Sequence, residues 1–230
     1  MSPHGLLVVR PEPGNARTVA RLRAGGGTVT GWPLFAAAAI DWTPPDPTDF
    51  DALLVTSANA VRLAGGGLAR LAPLPVIAVG AESAAVARGA GLRVAATGDG
   101  GVAEALAAAQ AAGLTRPLHL AGREHIDSGH PTVIVYASAD VKTDAADFAA
   151  AAAGRIILLH SVRAAGRVAD LIGPARAGIG IAALSPAVRD AAGGGWAFAG
   201  AAATPRDAAL CDLALARAID PAAGGGDKRP

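Results

Sequence analysis

The chain has 230 residues, a formal net charge of +1, 52% hydrophobic residues and only 3% aromatic ones. That length holds one large or two small domains, the near-neutral charge argues against a broad nucleic-acid footprint, and no apolar run approaches the roughly 18 residues of a membrane span. A single cysteine, Cys211, excludes an internal disulfide, and its Ala and Leu neighbours make it a small buried residue rather than a nucleophile.

The opening, MSPHGLLVVR, lacks a basic leader followed by a long apolar region and a cleavage site, so it is read as the start of the fold and the protein as cytoplasmic. Leu6 to Val9 form a first strand, ended by Arg10 and Pro11. Ala16 to Arg23 sets Val19, Ala20 and Leu22 among basic residues, an amphipathic helix that Gly25, Gly26 and Gly27 close. Thr28 to Trp32 is a second short strand. Pro33 to Pro47 turns apolar and then proline-rich, and it reads as an extended crossover between lobes.

Ala52 to Val55 is a contiguous apolar run, as a strand buried on both faces requires. It leads into Thr56 or Ser57 as the N-cap of an Ala-rich helix that carries Asn59 and ends near Gly65, Gly66 and Gly67. Strand 76–79 runs into Gly80, which permits close backbone approach, and Ser83, the expected cap of a helix over 84–88. A strand from Leu92 to Ala96, a helix from Val102 to Ala112 and a strand from Leu118 to Leu120 follow, and the last of these ends at Gly122 and Arg123.

EHIDSGHP, residues 124–131, is a polar loop; Glu124, His125, Asp127 and His130 raise a metal reading, but their spacing matches no tight site. The next strand, Thr132 to Tyr136, ends on the only tyrosine, and Ala137 to Thr143 is the return crossover. Asp144 to Ala153 and Asp207 to Ala218 are helices, and PAAGGGDKRP, 221–230, is a disordered tail.

The chain also repeats itself. RIILLHSVRAA at 155–165 has the layout of DALLVTSANAV at 51–61, placing Ser161 104 residues (161 − 57) after Ser57. VIAVGAESAA at 76–85 matches IAALSPAVRD at 181–190, with Ser185 105 residues (185 − 80) after Gly80. A duplicated run of strand–helix units gives two similar lobes, and open α/β sheets bind ligands at the carboxyl ends of their strands, where helix N-termini favour anions. The lysines are only Lys142 and Lys228, and the abundant Arg suits bidentate carboxylate or phosphate recognition.

VVRPEPGNA (8–16), DALLVTSANAV, VIAVGAESA (76–84) and IAALSPAVRDAA (181–192), in this order, resemble the successive motifs of the uroporphyrinogen-III synthase family, and Tyr136 after its strand fits as well. The resemblance covers nearly the whole chain. Val9 stands where members usually carry Thr, and EHIDSGHP replaces a helix that members usually have.

The resemblance implies an α/β protein of two flavodoxin-like parallel-sheet lobes, the second (37–142) inserted into the first (1–36 with 143–220) and joined to it by a two-stranded linker. It implies a cofactor-free cytoplasmic monomer, with no metal, nucleic-acid or membrane partner, that cyclises hydroxymethylbilane. The product is uroporphyrinogen III, formed with loss of water and inversion of the last pyrrole ring through a spiro intermediate. Tyr136 is then either the proton donor to the departing hydroxyl or a packing residue at the strand edge.

Ser57, Asn59, Gly80, Ser83, Ser161 and Ser185 are assigned to the substrate carboxylates, or are plain turn and cap residues; Arg10 and Arg123 are clamps or surface ion pairs. A non-catalytic two-lobe binding module for a small polyanion is the alternative. A nucleotide-dependent transferase is a third reading, against which stand the lack of a GxxxxGK[ST] motif and Gly clusters placed to cap helices.

Overall fold

The computed structural model describes residues 4–219, so the tail expected at 221–230 lies outside them. In chain order the elements are β1 (Gly5–Val8), α1 (Gly14–Ala24), β2 (Val29–Gly31), β3 (Phe35–Ala39), β4 (Ala52–Val55), α2 (Ala58–Leu63), α3 (Leu68–Leu71), β5 (Val76–Val79), α4 (Ala81–Gly89), β6 (Val94–Gly98) and α5 (Val102–Ala111). They continue with β7 (Pro117–Gly122), β8 (Thr132–Asp140), α6 (Ala145–Ala152), β9 (Arg155–Leu159), α7 (Val162–Ile172), β10 (Gly180–Ala183), α8 (Pro186–Ala191), β11 (Phe198–Ala201) and α9 (Asp207–Ile219). No helix among the described residues is long and apolar enough to cross a membrane.

The chain divides into two compact units: residues 4–36 with 140–219, and residues 37–139. The first holds a parallel sheet in the order β11-β10-β9-β1-β2. Its central strands are apolar at consecutive positions because both faces are covered. Leu7, Ile157 and Ile181 pack with Phe148, Val168 and Ile172 on one face. Leu6, Val8 and Leu158 pack with Leu22, Leu210 and Cys211 on the other. Cys211 is a core residue, its thiol pushed up to about 12 chiefly by burial.

The second unit holds the sheet β3-β8-β7-β4-β5-β6, in which the pairs β8–β7, β7–β4, β4–β5 and β5–β6 are parallel. Leu53, Val55, Leu118 and Leu120 face Val61, Leu71, Ala84 and Ala87 of α2, α3 and α4. Leu54 and Ile77 face Ala105 and Ala109 of α5 on the opposite side. The duplication is visible in both sheets: β4-β5-β6 and β9-β10-β11 lie side by side in the same order.

Three sequence expectations shift. The strand expected at 92–96 is β6, Val94–Gly98, because Leu92 still belongs to the close of α4. Gly91 takes φ +79° and the Leu92 amide donates back to the Ala87 carbonyl at 3.0 Å, a helix closure that carries its own apolar contact. The strand expected to stop at Tyr136 runs on to Asp140, so the return crossover begins later than residue 137.

Gly65–Gly67 do not simply cap α2 but form a 3-10 turn under Trp42. The Trp42 indole N–H donates to the Ala64 carbonyl at 2.9 Å, and a Cβ on Gly67 would come within 2.9 Å of the ring.

Candidate functional site

In the second unit, the carboxyl ends of β4, β5 and β7 open onto a pocket of about 350 Å³. Thr56 and Ser57, Val79, the start of α5 at Gly101 and Val102, Gly122 with Tyr136, and Glu124 to Ile126 bound it. Between Thr56 and Ser57 the structure chooses Ser57 as the cap: its extended backbone (φ −145°, ψ 136°) brings Oγ to accept from the Asn59 amide at 3.3 Å. Asn59 itself is half-buried in the first turn of α2.

Tyr136 lies on the pocket wall, half-buried, its body against the apolar cluster of β4 and β7. Gly122 opposite it in the ladder makes the room, because a Cβ there would come within 2.8 Å of the phenolic oxygen. The Arg123 amide donates to the Tyr136 carbonyl at 2.9 Å and a His125 ring nitrogen pairs with the Gly122 carbonyl at 2.9 Å, so the corner beside Tyr136 is held from both sides. The Arg123 side chain is exposed and makes no ion pair among the described residues.

Gly80 is the N-cap of α4 with φ +84° and ψ 153°, a region open essentially to glycine alone. Its amide donates to the Gly98 carbonyl at 2.8 Å and thereby joins β6. Ser83 does not cap the helix as expected. Because the turn at Gly80 starts the helix at Ala81, Ser83 sits inside the first turn, at 4% exposure.

In the first unit, Ser161 and Ser185 cap α7 and α8 directly after β9 and β10, accepting from the Ala164 amide at 3.1 Å and the Val188 amide at 3.4 Å. Arg10, by contrast, is held by partners within its own unit. It donates to Asp207 Oδ1 at 3.1 Å and to Thr18 Oγ1 at 3.3 Å. Asp207 Oδ1 also accepts from the Thr18 hydroxyl at 2.6 Å and pairs with His160 Nε2 at 2.9 Å, while Oδ2 meets Arg21 at 3.2 Å.

Burial works against ionisation of Asp207, yet the Thr18 and His160 hydrogen bonds and the Arg10 charge outweigh it and hold the carboxyl below its ordinary range. His160 also titrates below its usual value, mainly through burial, with Arg10 acting the same way against the pull of the carboxylate.

A sequence profile described as uroporphyrinogen-III synthase HemD matches residues 16–212. The chain belongs to the uroporphyrinogen-III synthase family. It is accordingly a cyclising lyase of haem biosynthesis, and the alternative of a non-catalytic polyanion-binding module is not favoured.

No curated protein matches the sequence at a significant level. Among solved structures, the uroporphyrinogen-III synthetase of Helicobacter pylori is 18% identical, with 93% of this chain and 99% of that one covered and a TM-score of 0.56, a likeness of fold. The uroporphyrinogen III synthase of Thermus thermophilus is 15% identical, with 94% and 100% covered and a TM-score of 0.40.

Two groups of this uroporphyrinogen-III synthase family member escaped the sequence reading. Asp207 registered only as an acidic residue early in a helix, since its partner Arg10 is 197 positions away. His119, buried within β7 and bonded to Thr56 across 63 positions, registered not at all.

Proposed function

We propose that the chain closes hydroxymethylbilane to uroporphyrinogen III, inverting the last pyrrole ring, and that Tyr136 gives its phenolic proton to the departing hydroxyl. The hydroxyl leaves as water and an azafulvenium cation, the protonated azafulvene, results. The substituted carbon of the last ring attacks it to form the spiro intermediate, which fragments and recloses; the proton released as that ring regains aromaticity restores the phenol. What carries the assignment is the position of Tyr136, a hydroxyl donor on the wall of a pocket at the strand ends.

Ser57, Asn59, Gly80, Ser83, Ser161 and Ser185 are proposed to meet the acetate and propionate arms. Arg123 adds a charge through its exposed guanidinium, and Arg10 does so through the N–H groups that Asp207 and Thr18 leave over. A flexible polycarboxylate needs several modest contacts more than one strong base. Its unassisted closure gives the uninverted isomer, so the protein's task is chiefly to select a conformation. The same reading makes the protein a cytoplasmic monomer without nucleic-acid or membrane partners.

The test generates hydroxymethylbilane in situ, oxidises the product and resolves type I from type III uroporphyrin by chromatography. Wild-type protein is expected to shift the product to type III, and Tyr136→Phe to lower that rate by roughly 10². Type I alone from folded protein overturns the reaction; an unchanged rate in Tyr136→Phe overturns the donor.

A further inference from the structure

Besides the core thiol of Cys211, the proposed chemistry leaves one buried titratable side chain among the described residues without a part. His119 is at 0% exposure in the middle of β7, and alternation from Leu118 and Leu120 turns it to the Leu54 side of the sheet. Both ring nitrogens are engaged: Nε2 lies 3.0 Å from Thr56 Oγ1 and Nδ1 lies 3.1 Å from Ser128 Oγ. The His125 ring stands edge-on to it, with centroids 5.5 Å apart. Burial, seconded by the His125 and His130 charges and opposed by Asp127, pushes His119 down to about 4, so the ring is neutral near pH 7.

The two hydroxyls belong to different parts of the pocket's surroundings. Thr56 lines the pocket itself, just before the Ser57 cap. Ser128 belongs to residues 123–131, the connection from β7 to the parallel strand β8. Such a connection is usually a dozen residues or more with a helix. Here it contains no helix, and its first part, Glu124 to Ile126, forms pocket wall. The Ser128–His119 bond therefore ties a helix-less crossover down onto the sheet.

A neutral imidazole between two hydroxyls donates at one nitrogen and accepts at the other, so the chain of hydrogen bonds has a direction. If Thr56 gave its proton to Nε2, it would face the pocket with lone pairs only. If instead Ser128 donates to Nδ1 and Nε2–H donates to Thr56, the Thr56 hydroxyl proton is free to point into the pocket. An anionic ligand selects the second direction, and the bonds in such a chain polarise one another.

We propose that His119 is a positioning residue: held by Ser128, it fixes Thr56 as a hydroxyl donor to a substrate carboxylate in the pocket of the second unit. This rests on the reading of the substrate given above. It adds Thr56 as a contact and makes the 123–131 segment part of substrate binding through Ser128, although Ser128 touches no ligand.

The kinetic test measures KM and kcat for type III formation in Thr56→Val, Ser128→Ala, His119→Leu and His119→Gln, with circular dichroism to confirm folding. One lost charge-assisted hydrogen bond is expected to raise KM about tenfold in Thr56→Val and His119→Leu with kcat little changed. Combining them should do no further harm, and His119→Gln, whose amide can accept from Ser128 and donate to Thr56, should restore most of the loss. An unchanged KM in Thr56→Val, or effects that multiply in the double variant, overturns the proposal.

A second readout is independent of turnover. Nitrogen-15 NMR, with the His119 signals assigned by their loss in His119→Gln, is expected to find the Nε2–H tautomer, and the Nδ1–H tautomer overturns the relay. Wild-type protein that yields only type I uroporphyrin defeats the substrate reading alone, and the tautomer then decides the relay by itself.

Discussion

A histidine without charge in the interior of a strand leaves a mark on stability. Because the folded-state pKa of His119 is lowered from 6.5 to about 4, the unfolded chain binds a proton there in a range where the folded chain does not. The stabilisation is fully present above about 6.5, falls as the pH drops toward about 4, and is lost below it. Unfolding in urea at a series of pH values should therefore show wild-type stability declining across that window, by up to about 3 kcal/mol from this group, and a shallower decline in His119→Gln. Equal slopes in the two proteins would mean that His119 is not buried neutral. Neither His119 nor Asp207 was legible as a site residue in the sequence, because the fold brings their distant partners to them: β4–β7 pairing sets Thr56 by His119, and Arg10, Thr18 and His160 converge on the start of α9 at Asp207. Nothing within a few positions of either announces them.

At the scale of elements, the repeated turns carry different residues for a reason of backbone geometry. Ser57, Ser161 and Ser185 all sit in extended conformations with the hydroxyl turned back onto the helix, whereas Gly80, the counterpart of Ser185, takes φ +84°. Exchanging the two residue types should thus be asymmetric. Gly80→Ser is expected to cost about 1–3 kcal/mol in strain, and Ser185→Gly only a few tenths of a kcal/mol, since glycine is itself an acceptable cap. Urea midpoints of the two variants measure the contrast. Strands such as β4 and β9 were readable because double-sided burial demands an unbroken apolar run. The start of β6 was misplaced because Leu92 is apolar for a different purpose, the closing of α4. The single-residue difference in spacing between the two copies, 104 for the first turn and 105 for the second, falls in the connection between the strands and leaves their register unchanged. Leu53 pairs with Val76, and their counterparts Ile157 and Ile181 pair likewise.

For the whole molecule, two sheets mean two cores, each covered on both faces largely by Ala, Val and Leu. Large anchors are few, so Phe148, at 0% exposure among Val168 and Ile172, carries an outsized share of the first core. The second unit is continuous in sequence and the first is not. A fragment spanning residues 35–140, which includes all of β3 and β8, is therefore expected to unfold cooperatively on its own when followed by circular dichroism. A fragment spanning 140–219 is expected not to, because it lacks β1 and leaves one edge of β9, Ile156 to Leu158, unpaired, with only β10 beside it. Doubling of the fold was readable from the spacing of Ser57 and Ser161. The pairing of β1 with β9 was not, because a strand's apolar pattern does not name its partner.

That pairing bears on how the protein comes off the ribosome. β1 and β2 emerge before β9 and are each other's sheet neighbours, but the other edge of β1 waits for β9, with Gly5 matched to Arg155 and Val8 to Leu158. Until more than a hundred further residues have been made, Leu6, Leu7 and Val8 form an open hydrophobic edge, while the intervening 37–139 can already complete its own sheet. The nascent chain thus holds β1 in reserve until β9 arrives, and this interval is when strand-to-strand association between neighbouring nascent chains has its opportunity.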